Sequence, residues 1–199
     1  MKILVNGKEK IVDIASNCTL SNVLLEVEND FPQGMIATEI VLNNKTLEGN
    51  WTQNSDNIYI LEDDELSIVI EDSSELAKVA LVETKEQFQL MLKHFGEIAD
   101  SFRINEEKDA NAHFIQGIEN LQIYLKVLED ATFLMGRPLN KLKDGEVYFQ
   151  QYISILGKEL DKIITIQSQK DWIMLADLIE YELMPALTKI GDIYRLLDI

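Results

Sequence analysis

The chain has little with which to do chemistry. Its single cysteine, Cys18, excludes an internal disulfide and fits a reducing cytoplasm. With only two histidines, His94 and His113, no zinc-type Cys/His spacing exists. Neither has Glu three residues before it, so the Glu-x-x-His pairs of dimetal bundles are missing as well. The 9 glycines form no phosphate-cradling loop and no nucleophile elbow. No run of about 18 apolar residues is present, which excludes a membrane-spanning helix. The opening stretch Ile3-Leu4-Val5 is far too short for a signal-peptide core and is closed by Asn6-Gly7. Basic side chains are scarce, 18 against 35 acidic, for a formal charge of -17. Phosphate backbones and anionic lipid surfaces are held mainly by Lys and Arg, so nucleic acid and membranes are poor partners. These absences lead us to expect a cytoplasmic, non-enzymatic protein with no catalytic, cofactor-binding or metal-binding residue.

What is present is a change of hydrophobic period at Ser73. Before it, apolar residues alternate in short runs broken by turn residues, as in Lys2 to Val5 and Leu66 to Ile70. After it, Ala77, Leu81, Thr84, Phe88, Met91, Phe95, Ile98 and Phe102 follow 4-3 spacing, and Phe114, Ile118, Leu121, Leu125, Leu128, Thr132 and Met135 do the same. Period two marks half-buried strands, and sustained 3.5 spacing marks helices that bury a seam against other helices. An α+β protein is expected, with a small strand-rich domain over 1–72 and a helical bundle over 73–199.

In the first domain Asn6-Gly7 supplies the positive φ angles of a two-residue hairpin between Lys2–Val5 and a strand over Lys8 to Ile14. Thr19 or Ser21 can cap a helix carrying Leu20, Val23, Leu24, Val27 and Phe31, stopped by Pro32-Gln33-Gly34. A strand from Ile36 to Leu42 follows, turned by Asn43-Asn44. Beyond the polar stretch of Trp51 to Asp56 come a short apolar run, Ile58 to Leu61, and a last strand, Leu66 to Glu71. This order, with Val41-Leu42-Asn43-Asn44-Lys45-Thr46-Leu47 and Asp64-Glu65-Leu66-Ser67-Ile68-Val69-Ile70, resembles the ubiquitin-like β-grasp superfamily. Within it, the small sulfur-carrier proteins are the most similar in length and opening hairpin. Such carriers end in Gly-Gly, whereas this chain runs on through Glu71-Asp72-Ser73. The resemblance therefore implies a binding module that presents a sheet face or edge to a partner.

In the second domain Ser73 or Ser74 is the expected N-cap of one helix, continuous through Thr84 to Phe102 and about 45 Å long, the alternative being a break where Thr84-Lys85-Glu86-Gln87 reads as a capping box. Charged, aperiodic residues from Arg103 to Ala112 mark a turn. A second helix runs from near Glu107 or Asp109 to Met135, stopped by Gly136 and Pro138. A third covers about Glu146 to Gln167, with Phe149, Tyr152, Leu156, Leu160 and Ile163 inward. Ser168-Gln169-Lys170-Asp171 reads as a capping box before a fourth, seamed by Trp172, Ala176, Ile179, Leu183, Ala186 or Leu187, Ile190, Tyr194 and Leu197. Four such segments with short connections predict an antiparallel four-helix bundle, with an irregularity where Pro185 interrupts the fourth.

The candidate partner-binding residues fall in two places. Glu62, Asp63, Asp64 and Glu65 form an acidic run without the ligand spacing or central Gly of an EF-hand loop. Asp177, Glu180 and Tyr181 share one turn of the fourth helix near Pro185. Together these features favour an adaptor or assembly factor acting through protein contacts. An acidic export or flagellar-type chaperone, a structural homo-oligomer, and a small-ligand sensor or enzyme with a pocket between head and bundle are the alternatives. An exposed apolar stripe on the bundle favours the first class, a two-fold interface the oligomer, and a closed pocket with converging carboxylates the sensor or enzyme.

Overall fold

A computed structural model describes residues 1–12, 18–47, 55–104 and 107–199. Asp13 and Ile14 of the expected second strand, and the polar stretch from Trp51 to Asn54, lie outside the described residues. The fold is α+β. It divides into two compact units, Met1–Leu76 and Ala77–Ile199.

The first unit is a mixed five-stranded sheet with one helix, built from β1 (Lys2–Val5), β2 (Lys8–Lys10), α1 (Leu20–Glu28), β3 (Met35–Leu42), β4 (Lys45–Thr46) and β5 (Glu65–Asp72). The sheet order is β2-β1-β5-β3-β4. β1 lies antiparallel to β2 and parallel to β5, and β3 is antiparallel to both β5 and β4. Asn6 and Gly7 both take positive φ, at 48° and 73°, as the two-residue hairpin demands. The Asn6 side chain also replaces a strand residue: its amide donates to the Ile70 carbonyl and its oxygen accepts from the Ile70 N–H. Thr19 caps α1 in a capping box with Asn22. Helix residues Leu20, Val23, Leu24 and Val27 pack on Ile3, Ile40, Ile60, Leu66, Ile68 and Ile70, so the alternation read in β5 turns its Leu66, Ile68 and Ile70 to the core.

The second unit holds about four packed helical segments. α2 (Ser73–Arg103) is one unbroken helix of 31 residues. Its cap differs from the expectation: the Asp72 carboxylate accepts the Ser74 and Glu75 N–H groups, and Ser73 is buried with its N–H bonded to the Gly34 carbonyl. α3 (Glu107–Leu134) begins at Glu107, one of the two expected starts, and ends one residue before the expected Met135. Gly136, at φ 68°, ends α3 with the Arg137 N–H reaching back to the Thr132 carbonyl. Next come a 3-10 turn (Leu139–Lys141) and a small hairpin, β6 (Lys143–Asp144) and β7 (Val147–Tyr148), so α4 (Phe149–Gln169) begins three residues later than expected. Ser168 belongs to the last turn of α4, and Asp171 is the cap of α5 (Trp172–Leu178), accepting the Met174 N–H. Lys170, at φ 59°, makes the bend between them.

At Pro185 the expected irregularity takes a definite form. A π turn (Ile179–Leu183) joins α5 to α6 (Met184–Gly191), and a short α7 (Ile193–Leu196) follows. Proline has no N–H to donate, and the Met184 N–H bonds instead to the Ile179 carbonyl five residues back.

The helix pairings are antiparallel. Phe88 stacks on Tyr124 while Phe95 meets Phe114 and Gly117, so α2 and α3 run in opposite senses. Phe102 stacks on Trp172 and Phe88 lies near Tyr194, which sets the last segment antiparallel to α2 also. The seam residues Phe88, Phe95, Phe102, Leu121, Leu128, Leu156, Ile163, Ile179, Leu183 and Leu187 are all buried.

Candidate functional site

The residues of the fourth segment singled out in the sequence part company in the structure. Asp177 lies in the final turn of α5 and Glu180 in the π turn, three residues on, so both carboxylates reach one side of the segment. There they meet Arg103, the last residue of α2. Its Nη2 lies 2.8 Å from Asp177 Oδ1 and 2.5 Å from Glu180 Oε2, and its Nη1 lies 3.5 Å from Asp100. The hydrogen bond to Asp177, followed by the close carboxylate of Glu180, holds the guanidinium proton more tightly than in a free arginine. The Glu180 contact is an ion pair without hydrogen-bond alignment. Tyr181 does not join this cluster and is exposed. The arrangement is a clamp tying the C-terminus of α2 to the π turn.

The acidic run of the sheet unit is likewise divided. Asp64 closes its own turn, accepting from the Asn43 side chain and the Leu61 N–H at 2.7 Å each. The Asn43 bond, then that from Leu61, hold its carboxyl below the usual carboxylate range. Glu65 opens β5 and pairs with Lys2 at 3.1 Å. Glu62 and Asp63 are exposed in the turn.

A third place was not read from the sequence. Between α2 and α3 an open groove of about 740 Å³ runs past Thr84, Gln87, Met91 and His94 on one helix and Asn120, Ile123, Tyr124 and Val127 on the other. Phe88, Met91 and Tyr124 are buried lining residues that belong to the core. Leu90 and Ile123, 66% and 64% exposed, stand at its edges as apolar side chains on otherwise polar helix faces. The Tyr194 hydroxyl donates to Thr84 Oγ1 at 3.3 Å, and Thr84 donates on to the Leu81 carbonyl. The Tyr124 hydroxyl is buried beside Tyr194 without a well-aligned hydrogen bond; burial first, and the Tyr194 hydroxyl second, push its pKa well above that of a free phenol. At one end His94 lies edge-on to His113 with ring centroids 5.7 Å apart, 3.8 Å from Glu97. Among the described residues no three His, Cys, Asp or Glu side chains gather to hold a metal ion. Among the same residues no helix is long and apolar enough to cross a membrane.

An α+β protein with an open, apolar-floored groove on its helical unit is thus defined. The family described as "Domain of unknown function (DUF8042)" matches residues 79–193, more than half of the chain, and the chain belongs to it. That match contains the groove, the Arg103 clamp and the π turn. No curated protein and no solved structure matches the chain.

Proposed function

We propose that this protein is a non-enzymatic adaptor or assembly factor of the cytoplasm, and that the groove between α2 and α3 is where its helical unit holds a helix of a partner protein. The observation carrying this reading is the pairing of an apolar floor, Phe88, Met91 and Tyr124, with exposed Leu90 and Ile123 at the edges. Large apolar side chains on two neighbouring helix edges favour a covering partner. Two antiparallel helices with a furrow between them receive a third helix along the furrow. The sheet unit is read as a β-grasp module, supported by the parallel β1–β5 pair at the centre of the order β2-β1-β5-β3-β4. Its last strand continues into α2, so a loaded Gly-Gly end forms no part of this reading. Glu62 and Asp63 are offered as its contact edge.

A photo-crosslinking amino acid placed at Leu90 in cells tests the proposal, with Ile164, an exposed apolar residue of α4, as the control position. The expected result is an adduct to another protein at 90, mapping to an amphipathic helical segment, and none at 164. Adducts between copies of this chain would replace the adaptor with the homo-oligomer reading, and equal labelling at both positions would refute the groove as the contact site.

A further inference from the structure

The rims of the groove carry charge that the described residues leave unanswered. Glu83 and Glu86 each stand one helical turn before a lining residue of α2, Gln87 and Leu90, and Glu119 stands one turn before Ile123 on α3. All three are exposed, and none makes an ion pair with a described residue. The nearby lysines are already committed. Lys93 pairs with Glu97 at 3.4 Å and Lys126 with Asp130 at 2.8 Å and Glu129 at 3.6 Å, while Lys85 is not among the lining residues and sits over the Tyr194 ring, donating to the Ile199 carbonyl oxygen. The floor is apolar, and among the described residues the unpaired side-chain charge at both edges, that of Glu83, Glu86 and Glu119, is negative.

We infer that the groove's occupant is a basic amphipathic helix, one whose apolar stripe is flanked on both sides by Lys or Arg. This rests on the groove reading above and adds the partner's chemistry to it. A helix seated on Phe88 and Met91 turns its flanking positions toward Glu83 and Glu86 on one edge and Glu119 on the other. Opposite charges at these rims quicken association and reject an acidic helix, and both effects are screened by salt. An acidic helix would bring its carboxylates against three unpaired glutamates. The chain's overall charge of -17 acts in the same direction at longer range.

Two synthetic helical peptides of about 18 residues, roughly 27 Å long, share one Leu stripe and differ only in having Lys or Glu beside it. Their binding to the full chain is followed by fluorescence anisotropy at low and high salt, with the Met91 methyl signal reporting where they bind. The Lys peptide is expected to bind about tenfold or more tightly than the Glu peptide at low salt, shifting Met91, and to lose much of that advantage at high salt. A triple Glu83→Gln, Glu86→Gln, Glu119→Gln variant should bind the two peptides nearly equally. Equal binding of both peptides to the wild type, with Met91 shifted, overturns the charge inference and leaves the groove reading standing. Failure of both to move Met91 overturns the groove reading, and this inference with it.

Discussion

Phe95→Ala is expected to destabilise the helical unit by about 3–5 kcal/mol, the usual cost of truncating a buried phenylalanine where surroundings relax only in part. Phe95 is fully buried on α2, edge-on to Phe114 at 6.2 Å, and its ring fills the space that Gly117 leaves by having no side chain. Two helices therefore lose their contact at once, and collapse of the void is opposed by the close packing around it. A domain's stability is about 5–15 kcal/mol, so the loss is a large share of the whole. The check is chemical denaturation followed by the helical circular dichroism signal. A midpoint unchanged from wild type would mean that the α2 seam is out of register.

Gly191→Ala is the second large effect, and it runs against helix propensity. Alanine favours a helix interior over glycine by about 1 kcal/mol, yet a methyl group at 191 would sit 2.5 Å from Phe88 Cε1. Phe88 has little room to retreat, since it stacks on Tyr124 at 4.6 Å and lies 6.4 Å from Tyr194. Overpacking of this kind costs about 1–3 kcal/mol. Gly157→Ala on α4 is the matched control, because nothing lies within 4 Å of its added carbon. It should be stabilising by about 0.5–1 kcal/mol through propensity alone. Opposite signs for the two substitutions in one denaturation series are the expected outcome, and equal signs would contradict the packing of Phe88 against α6.

The seams were legible because burial in a helical bundle repeats every three or four residues. Phe88, Phe95, Leu121 and Ile163 could be assigned inward from spacing alone, as could Leu66, Ile68 and Ile70 from alternation. The two-residue turn at Asn6-Gly7 and the stop at Gly136 were readable for a local reason, positive φ. What escaped is what depends on distance along the chain. Arg103 meets Asp177 across 74 residues, and no local pattern announces that pairing. Sequence spacing brought Asp177, Glu180 and Tyr181 together, but only the first two share the arginine. The hairpin of β6 and β7 did have a signal, Asp144-Gly145 with Gly145 at φ 62°, yet its strands of two residues each are too short to show alternation. The groove left only a faint trace in Leu90 and Ile123, apolar residues standing off the seam; a furrow depends on how far two helices separate, which residue spacing does not encode.

Hydrogen exchange measured on the full chain, alone and bound to the segment captured at Leu90, tests the central claim most directly. The expected result is slowed exchange confined to the groove-lining stretches, 84–97 on α2 and 120–127 on α3, with the amides of α4 unchanged. Protection centred on α4 or on the sheet, with the amides of 84–97 exchanging as in the free chain, would contradict the assignment of the groove as the binding site.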